Sequence, residues 1–163
     1  MRHRYAIALG SNRYHGRIGA PGSVLKAALR RIDRKNVHVV AASRTVWSRP
    51  IGPSRRTYAN AAAILESRLG PKKLLHRLKK IEREFGLRRG GLSWSARTLD
   101  LDIILWSGGC RATPDLVIPH REFRSRHFVL DPLATIAGRW RDPISRLTVR
   151  QLKARLDRKR PAA

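Results

Sequence analysis

Two amphipathic helical stripes, each set between segments that carry strand periodicity or a run of β-branched residues, predict an α+β fold. The elements follow one another as β-α-β-β-α-β with helical material added at the end. That order matches a split βαβ, ferredoxin-like sheet with helices on a face and C-terminal helical additions. The 163 residues hold no repeat, linker or low-complexity segment. Positions 1–163 therefore read as a single domain, long enough to bury a proper core.

The first strand is the apolar run Tyr5 to Leu9, which enters the turn Gly10-Ser11-Asn12. Gly16 and Gly19 lack the spacing of a dinucleotide fingerprint, so a loop follows and not a Rossmann turn. Ser23 is the expected cap of a helix through about Ile32, with Val24, Leu25, Ala28, Leu29 and Ile32 as its apolar stripe and Lys26, Arg30 and Arg31 facing out. Val37 to Trp47 is rich in β-branched residues and reads as one strand. The Pro- and Gly-rich Arg49-Pro50-Ile51-Gly52-Pro53 forces a loop, and a strand from Tyr58 to about Glu66 follows with Tyr58, Asn60, Ala62 and Ile64 on one face.

Gly70-Pro71 opens a second helix with the stripe Leu74, Leu75, Leu78, Ile81 and Phe85, closed by Gly86, while Lys72, Lys73, Arg77, Lys79 and Lys80 line its other side. Leu87 to Ala96 contains Arg88, Arg89, Gly90, Gly91 and Trp94 without a period, which suits a mobile lid. A strand from Arg97 to Trp106 comes next, then the turn Ser107-Gly108-Gly109. Val117-Ile118-Pro119-His120 leads into a helical stretch with Phe123, Phe128, Leu130 and Leu133. Thr148 caps a last helix through Val149, Leu152 and Leu156, and the basic tail from Arg158 frays.

The strand after the lid carries the chemistry. Leu99, Leu101, Ile103 and Leu105 alternate with Thr98, Asp100, Asp102 and Ile104, so Asp100 and Asp102 share a face with Cβ atoms about 6 to 7 Å apart. Paired anions on so apolar a strand repel each other and lose hydration unless a cation lies between them. Oxygen ligands alone suit a hard ion, and Mg²⁺ takes one or two carboxylates and fills its other positions with water and substrate phosphate. The same spacing also suits a solvated strand face or an ion pair with Arg97, and the residues by themselves leave both readings open.

A net charge of +25, from 36 Lys and Arg against 11 Asp and Glu, predicts anionic partners and strong salt dependence but says nothing of fold. Arg far outnumbers Lys, as a bidentate phosphate binder should. Cys110 is alone, so no internal disulfide forms, and the six His and one Cys have no zinc spacing. A reducing, cytoplasmic location is expected. Met1 to Leu9 mimics the start of a signal peptide, but the apolar run ends after five residues, and no run approaches the ~18 residues of a membrane span.

Arg97-Thr98-Leu99-Asp100-Leu101-Asp102-Ile103-Ile104 resembles the signature of the hydroxymethyldihydropterin pyrophosphokinases of folate synthesis. Ala8-Leu9-Gly10-Ser11-Asn12, Arg49-Pro50-Ile51-Gly52, Tyr58-Ala59-Asn60-Ala61-Ala62, Ile81-Glu82 and Ile118-Pro119-His120 extend the likeness over nearly the whole chain. The resemblance implies transfer of the β,γ-diphosphoryl group of ATP to the hydroxymethyl oxygen of a reduced pterin, leaving AMP. It implies magnesium held by Asp100 and Asp102, and charge stabilisation by Arg89 and Arg97. Glu82, Arg97, His120, Arg126 and the backbone around Ile103 fall on the ATP side. Tyr58, Asn60 and Phe128 would hold the pterin, with backbone contacts from Ser48 and Ile51 and with Trp94 closing over it. The expected partners are ATP and the reduced pterin alcohol, with no membrane, no specific nucleic acid and a monomeric chain.

Two departures stand out. The family has Gly-Pro before the signature Arg, where this chain has Ser95-Ala96, and an Arg after the helix-ending Gly, where it has Leu87, with Arg88 a possible substitute. A catalytically impaired relative is therefore one alternative. The other is a basic RNA-binding module of RNA-recognition-like fold, which shares the strand order. Tyr58 to Leu65, however, offers one aromatic and a row of alanines where that module stacks bases.

Overall fold

The computed structural model describes residues 1–49, 56–86 and 98–159. Its elements are β1 (His3–Ser11), α1 (Pro21–Ile32), β2 (Val37–Ala42), β3 (Val46–Ser48), β4 (Tyr58–Ser67), α2 (Pro71–Gly86), β5 (Asp100–Trp106), β6 (Arg111–Thr113), β7 (Leu116–Ile118), a 3₁₀ turn (Phe123–Ser125), α3 (His127–Ala137) and α4 (Val149–Asp157). The fold is α+β. The main sheet has the order β2-β4-β1-β5 with β3 also on β4, and every pairing in it is antiparallel. β6 and β7 form a separate hairpin. Among the described residues no helix is long and apolar enough to cross a membrane.

Both faces of the sheet are covered. The stripes of α1 (Val24, Leu25, Ala28, Ile32) and α2 (Leu74, Leu78, Ile81) pack with Tyr5, Ile7, Leu9, Leu65, Leu101 and Ile103 on one side. Val129, Leu130 and Leu133 of α3 and Val149 and Leu152 of α4 pack with Ala6, Ala62 and Ile64 on the other. A sheet buried on both faces leaves no open platform for stacking bases, which argues against the RNA-recognition alternative.

Four expectations change. Helix α1 begins at Pro21 after Ala20, which makes no side-chain cap bond, so Ser23 lies inside the helix; the fixed φ of proline suits the first turn and starts the helix without a cap. The strand expected over Val37 to Trp47 is two strands. Ser43 Oγ accepts the Ala62 N–H that a strand carbonyl would otherwise take, so β2 ends there and the chain rejoins β4 at Val46. The strand expected from Arg97 starts at Asp100, with Arg97 outside the described residues. Its alternation also breaks: Ala6 pairs with Leu105 and Ile7 with Ile103, leaving Ile104 as a bulge. Leu105 thereby joins Ile104 on the α3–α4 face, and Trp106 turns back to stack on Tyr5 at 6.5 Å between ring centroids. Finally, the hairpin β6–β7 precedes the C-terminal helices, its three-residue strands being too short to carry a legible period.

The cap of α4 is as expected. Thr148 Oγ1 accepts from Gln151 N while Gln151 Oε1 accepts from Thr148 N, a reciprocal capping box. The loop before α4 is held by Asp142, which is fully buried. Both its oxygens take 2.7 Å bonds from the Arg124 guanidinium, and Ser145 Oγ and the Ile144 and Ser145 amides donate to it as well. Burial alone would raise its pKa, but these donors outweigh burial and bring it down to about 2. A depressed carboxylate contributes stability above its ordinary pKa of 3.8 and loses that contribution as pH falls toward 2. Replacing Asp142→Asn leaves Arg124 without its partner and should cost about 3 kcal/mol in urea denaturation. The parent's stability should fall more steeply than the variant's between pH 3.8 and 2.

Candidate active site

The register of β1 with its two neighbours builds the floor of the site. Gly10 lies between Asn60 of β4 and Asp100 of β5, and Ala8 lies between Ala62 and Asp102. Small residues at the centre leave space above the sheet beside the carboxylates. A Cβ at Gly10 would enter that space, 3.8 Å from Asn60 Oδ1 and 4.0 Å from Asp100 Cβ. Over this floor lies an open cleft lined by Asp100, Asp102, Asn60, Ile104, His120, Arg126, Phe128 and Val129.

Each wall residue is set by its own element. Arg126 is the N-cap of α3, and Phe128 and Val129 belong to the helix's first turn. The Arg126 guanidinium lies 5.6 Å from the centre of the Phe128 ring and is ion-paired with Glu122. His120 follows the cis Ile118–Pro119 bond; its N–H donates to Ile104 O at 3.0 Å, which holds the segment against the bulge of β5. The imidazole Nδ1 accepts from Glu122 N.

Asn60 is 4% exposed. Its Nδ2 donates to Ser48 Oγ at 2.8 Å and to Tyr58 O at 3.2 Å. Because a backbone carbonyl can only accept, those bonds fix the amide so that Oδ1 faces Gly10 as an acceptor. Ser48 thus reaches the site through its hydroxyl on Asn60. Tyr58 stands two residues earlier on the same face of β4, half-buried.

Glu82 and Ile103 sit elsewhere. The Ile103 side chain lies in the α1–α2 core. Glu82, on α2 with 13% of its side chain exposed, accepts the Leu101 N–H at 2.6 Å and a bond from Lys79 Nζ at 2.8 Å. It therefore braces the strand between the two aspartates, a link invisible in the sequence because it joins a side chain to a backbone amide. Ser11 Oγ and Asn12 Oδ1, buried at the end of β1, have no hydrogen-bond partner among the described residues. Ile51, Arg89, Trp94 and Arg97 lie outside the described residues, as do the lid segment 87–96 and the departures at Leu87, Ser95 and Ala96.

Among the described residues one group of three side chains has metal-ligating reach, His127, Asp131 and Asp157, and it is not the aspartate pair of β5. Lys153 Nζ lies 2.7 Å from Asp157 and 3.4 Å from Asp131, so an ammonium already supplies the cation there. Its bond to Asp157 raises the Lys153 pKa, and the group ties α3 to α4. The Asp100–Asp102 pair differs in kind: two oxygen donors on one strand face, beside a floor of Gly and Ala and under an Arg and a His.

Carboxylates, an arginine, a histidine and an aromatic ring thus surround one cleft. Residues 6–138 match the family model described as 7,8-dihydro-6-hydroxymethylpterin-pyrophosphokinase (HPPK). The 2-amino-4-hydroxy-6-hydroxymethyldihydropteridine pyrophosphokinase of Haemophilus influenzae is 40% identical over 158 residues, covering 94% of this chain and 93% of that protein. The Pseudomonas aeruginosa protein of the same name is 38% identical, covering 90% of this chain and 88% of its own length. In the solved structures, Plasmodium falciparum wild-type HPPK-DHPS with pteroate superposes with a TM-score of 0.72 at 11% identity, covering 95% of this chain, which spans 42% of that longer one. That likeness speaks for the fold alone. The chain belongs to the HPPK family.

The brace at Glu82 can be tested directly. Glu82→Ala leaves the buried Leu101 N–H without an acceptor and should lower stability by about 1 to 3 kcal/mol in chemical denaturation. Glu82→Gln keeps an acceptor oxygen and should lose clearly less.

Proposed function

We propose that this chain transfers the β,γ-diphosphoryl group of ATP to the hydroxymethyl oxygen of 6-hydroxymethyl-7,8-dihydropterin in folate biosynthesis, leaving AMP. The new bond joins the hydroxymethyl oxygen to the β-phosphorus, the bond from that phosphorus to the α-phosphate oxygen breaks, and the hydroxyl proton is lost. The observation that carries the reading is the β5 pair Asp100 and Asp102 facing Arg126, His120 and Phe128 across one cleft, in a chain that matches the HPPK model over residues 6–138.

Asp100 and Asp102 would hold Mg²⁺ on the ATP phosphates; their oxygen-only donor set and the open floor beside them suit that ion. When bound, the metal neutralises phosphate charge as the transferred group loosens. The other roles fall to the chain itself. Arg126 and His120 bind ATP phosphate oxygens, and Arg89 and Arg97 steady the developing anion. Glu82 acts on the ATP side by bracing β5 at Leu101, beside the backbone at Ile103. Phe128 and Tyr58 take the two faces of the pterin, Asn60 Oδ1 accepts from its amino edge, Ser48 fixes that amide, and Ile51 and Trp94 complete the pocket. Bringing two substrates into line is worth several kcal/mol, so no protein nucleophile is needed.

The order β2-β4-β1-β5, with two helices on one face and α3 and α4 on the other, supports a ferredoxin-like split βαβ arrangement with C-terminal helical additions. A single domain over 1–163, acting as a monomer in the cytoplasm with Cys110 reduced, completes the reading.

Incubation with Mg-ATP and the reduced pterin alcohol should release AMP in step with the pterin diphosphate. Asp100→Asn and Asp102→Asn should each lower turnover roughly a thousandfold or more without unfolding the chain. Near-normal turnover in either variant would remove the metal assignment.

A further inference from the structure

Outside the cleft, basic residues line up along the outer sides of α1 and α2. On α2, Lys73, His76, Lys80 and Arg83 fall at i, i+3, i+7 and i+10, one exposed stripe down the helix. On α1, Lys26 and Arg30 are exposed one turn apart, in a step of about 6 Å along the axis. The helices are stitched together by the two bonds of Arg31 to Glu84, 2.8 and 2.9 Å, and by Arg77, whose guanidinium donates to Ile32 O and Arg34 O. The two cation rows are thus held on one rigid face.

The acids of this face are already engaged. Glu84 is held by Arg31, Glu82 faces β5, and Asp33 Oδ1 accepts from Val39 N and lies near His38. Beyond the face, between the turn after α1 and the turn before α2, lies a cleft lined by Arg2, Lys35, His38 and Arg68 and by Glu66, which Arg4 and Arg2 hold. That end of the sheet is remote from the candidate active site: the cleft borders the start of β1 and the end of β4, whereas Gly10 and Asn60 stand at the opposite ends of those strands. The turn is fixed by Arg77 on Arg34 O and by Ser67 Oγ on Asn36 O, and it presents Lys35 with φ +59°. On the other side of the sheet α3 contains no Lys or Arg and Lys153 of α4 is taken by Asp131 and Asp157; Arg150 and Arg155 of α4 are exposed, beside Arg139, Arg141 and Arg146 of the preceding segment, and these serve as the comparison surface.

We infer that the outer face of α1 and α2, with the adjoining basic cleft, is a docking surface for the phosphodiester backbone of duplex nucleic acid, independent of the diphosphate transfer at the cleft over β5. The chemistry selects the partner. Rows of Lys and Arg with no Phe, Tyr or Trp among them read phosphates and not bases; of the exposed large apolar residues Met1, Tyr14, Val40, Trp47 and Ile144 none lies on α1 or α2, and Trp47 borders α1 at its start, beside Gly22. A helix face that binds membranes presents apolar side chains for insertion, which this face lacks. Binding should be sequence-blind and driven by counterion release.

The test is fluorescence anisotropy with a labelled DNA duplex of arbitrary sequence, across a salt series. Two charge-reversed proteins of equal net charge are compared: Arg30→Glu with Lys73→Glu and Lys80→Glu on the proposed face, and Arg139→Glu with Arg146→Glu and Arg155→Glu on exposed positions elsewhere. The first should bind about tenfold more weakly or worse, with a salt slope flatter by about 2 to 3. The second should keep most of the affinity, and both should release AMP at the parent's rate. If the first set does not fold, Lys73→Gln with Lys80→Gln, expected to flatten the slope by about 2, replaces it. Equal losses in the two sets would reduce the effect to net charge and overturn the assignment. So would a parent protein that fails to bind the duplex, or one that binds phosphatidylserine vesicles and not the duplex.

Discussion

Strand β1 is hydrogen-bonded on both sides, and the rest of the site depends on its register. Because side chains alternate across a strand, a slip of one residue against β5 would carry Asp100 and Asp102 to the α1–α2 core and bring Leu101 and Ile103 into the cleft. The buried apolar set on each face forbids that slip. Leu9 opposite Leu101 and Ile7 opposite Ile103 lock the register from below, while Ala8 and Gly10 keep the upper face low enough to leave space beside the carboxylates. The same residues that stabilise the sheet therefore aim the chemistry.

With 11 acids against 36 Lys and Arg, each carboxylate is a scarce counter-charge, and most have a fixed task. Asp142 closes the loop before α4, Glu84 joins α1 to α2, and Glu82 holds β5 from α2. Asp131 and Asp157 clasp Lys153 between α3 and α4. These pairs differ in worth. The exposed ones contribute little in water, whereas Asp142, with no solvent exposure, is surrounded by donors, and its loss would leave the Arg124 guanidinium without its partner.

The periodic parts of the fold were legible in the sequence. The stripes of α1 and α2, the two-faced β4, the Thr148 cap and the side-by-side aspartates all follow from spacing. The errors lie where one side chain overrides the pattern: Ser43 replacing a ladder acceptor, Pro21 starting a helix without a cap, and Ile104 adding one residue to a strand. Asp100 and Asp102 could be found in one stretch, because they are neighbours in sequence. His120, Arg126 and Phe128 could be tied to them only through resemblance, because the contact is made by the packing of α3 over the sheet, chiefly over β4, and no local spacing encodes it.

The bulge at Ile104 shows how such an irregularity serves the site. A regular strand would turn Leu105 into the α1–α2 core and leave only Ile104 on the α3–α4 face. With the bulge, Ile104 and Leu105 both join the core cluster shared by α3 and α4, on which the helix whose first turn carries Phe128 rests. The carbonyl of Ile104 binds His120 N–H on the outer edge of β5, so the segment that delivers His120 is fixed to the same residue. One extra residue in a strand thus positions two walls of the cleft relative to its floor. The site is held by the backbone of β5 as much as by the side chains that line it.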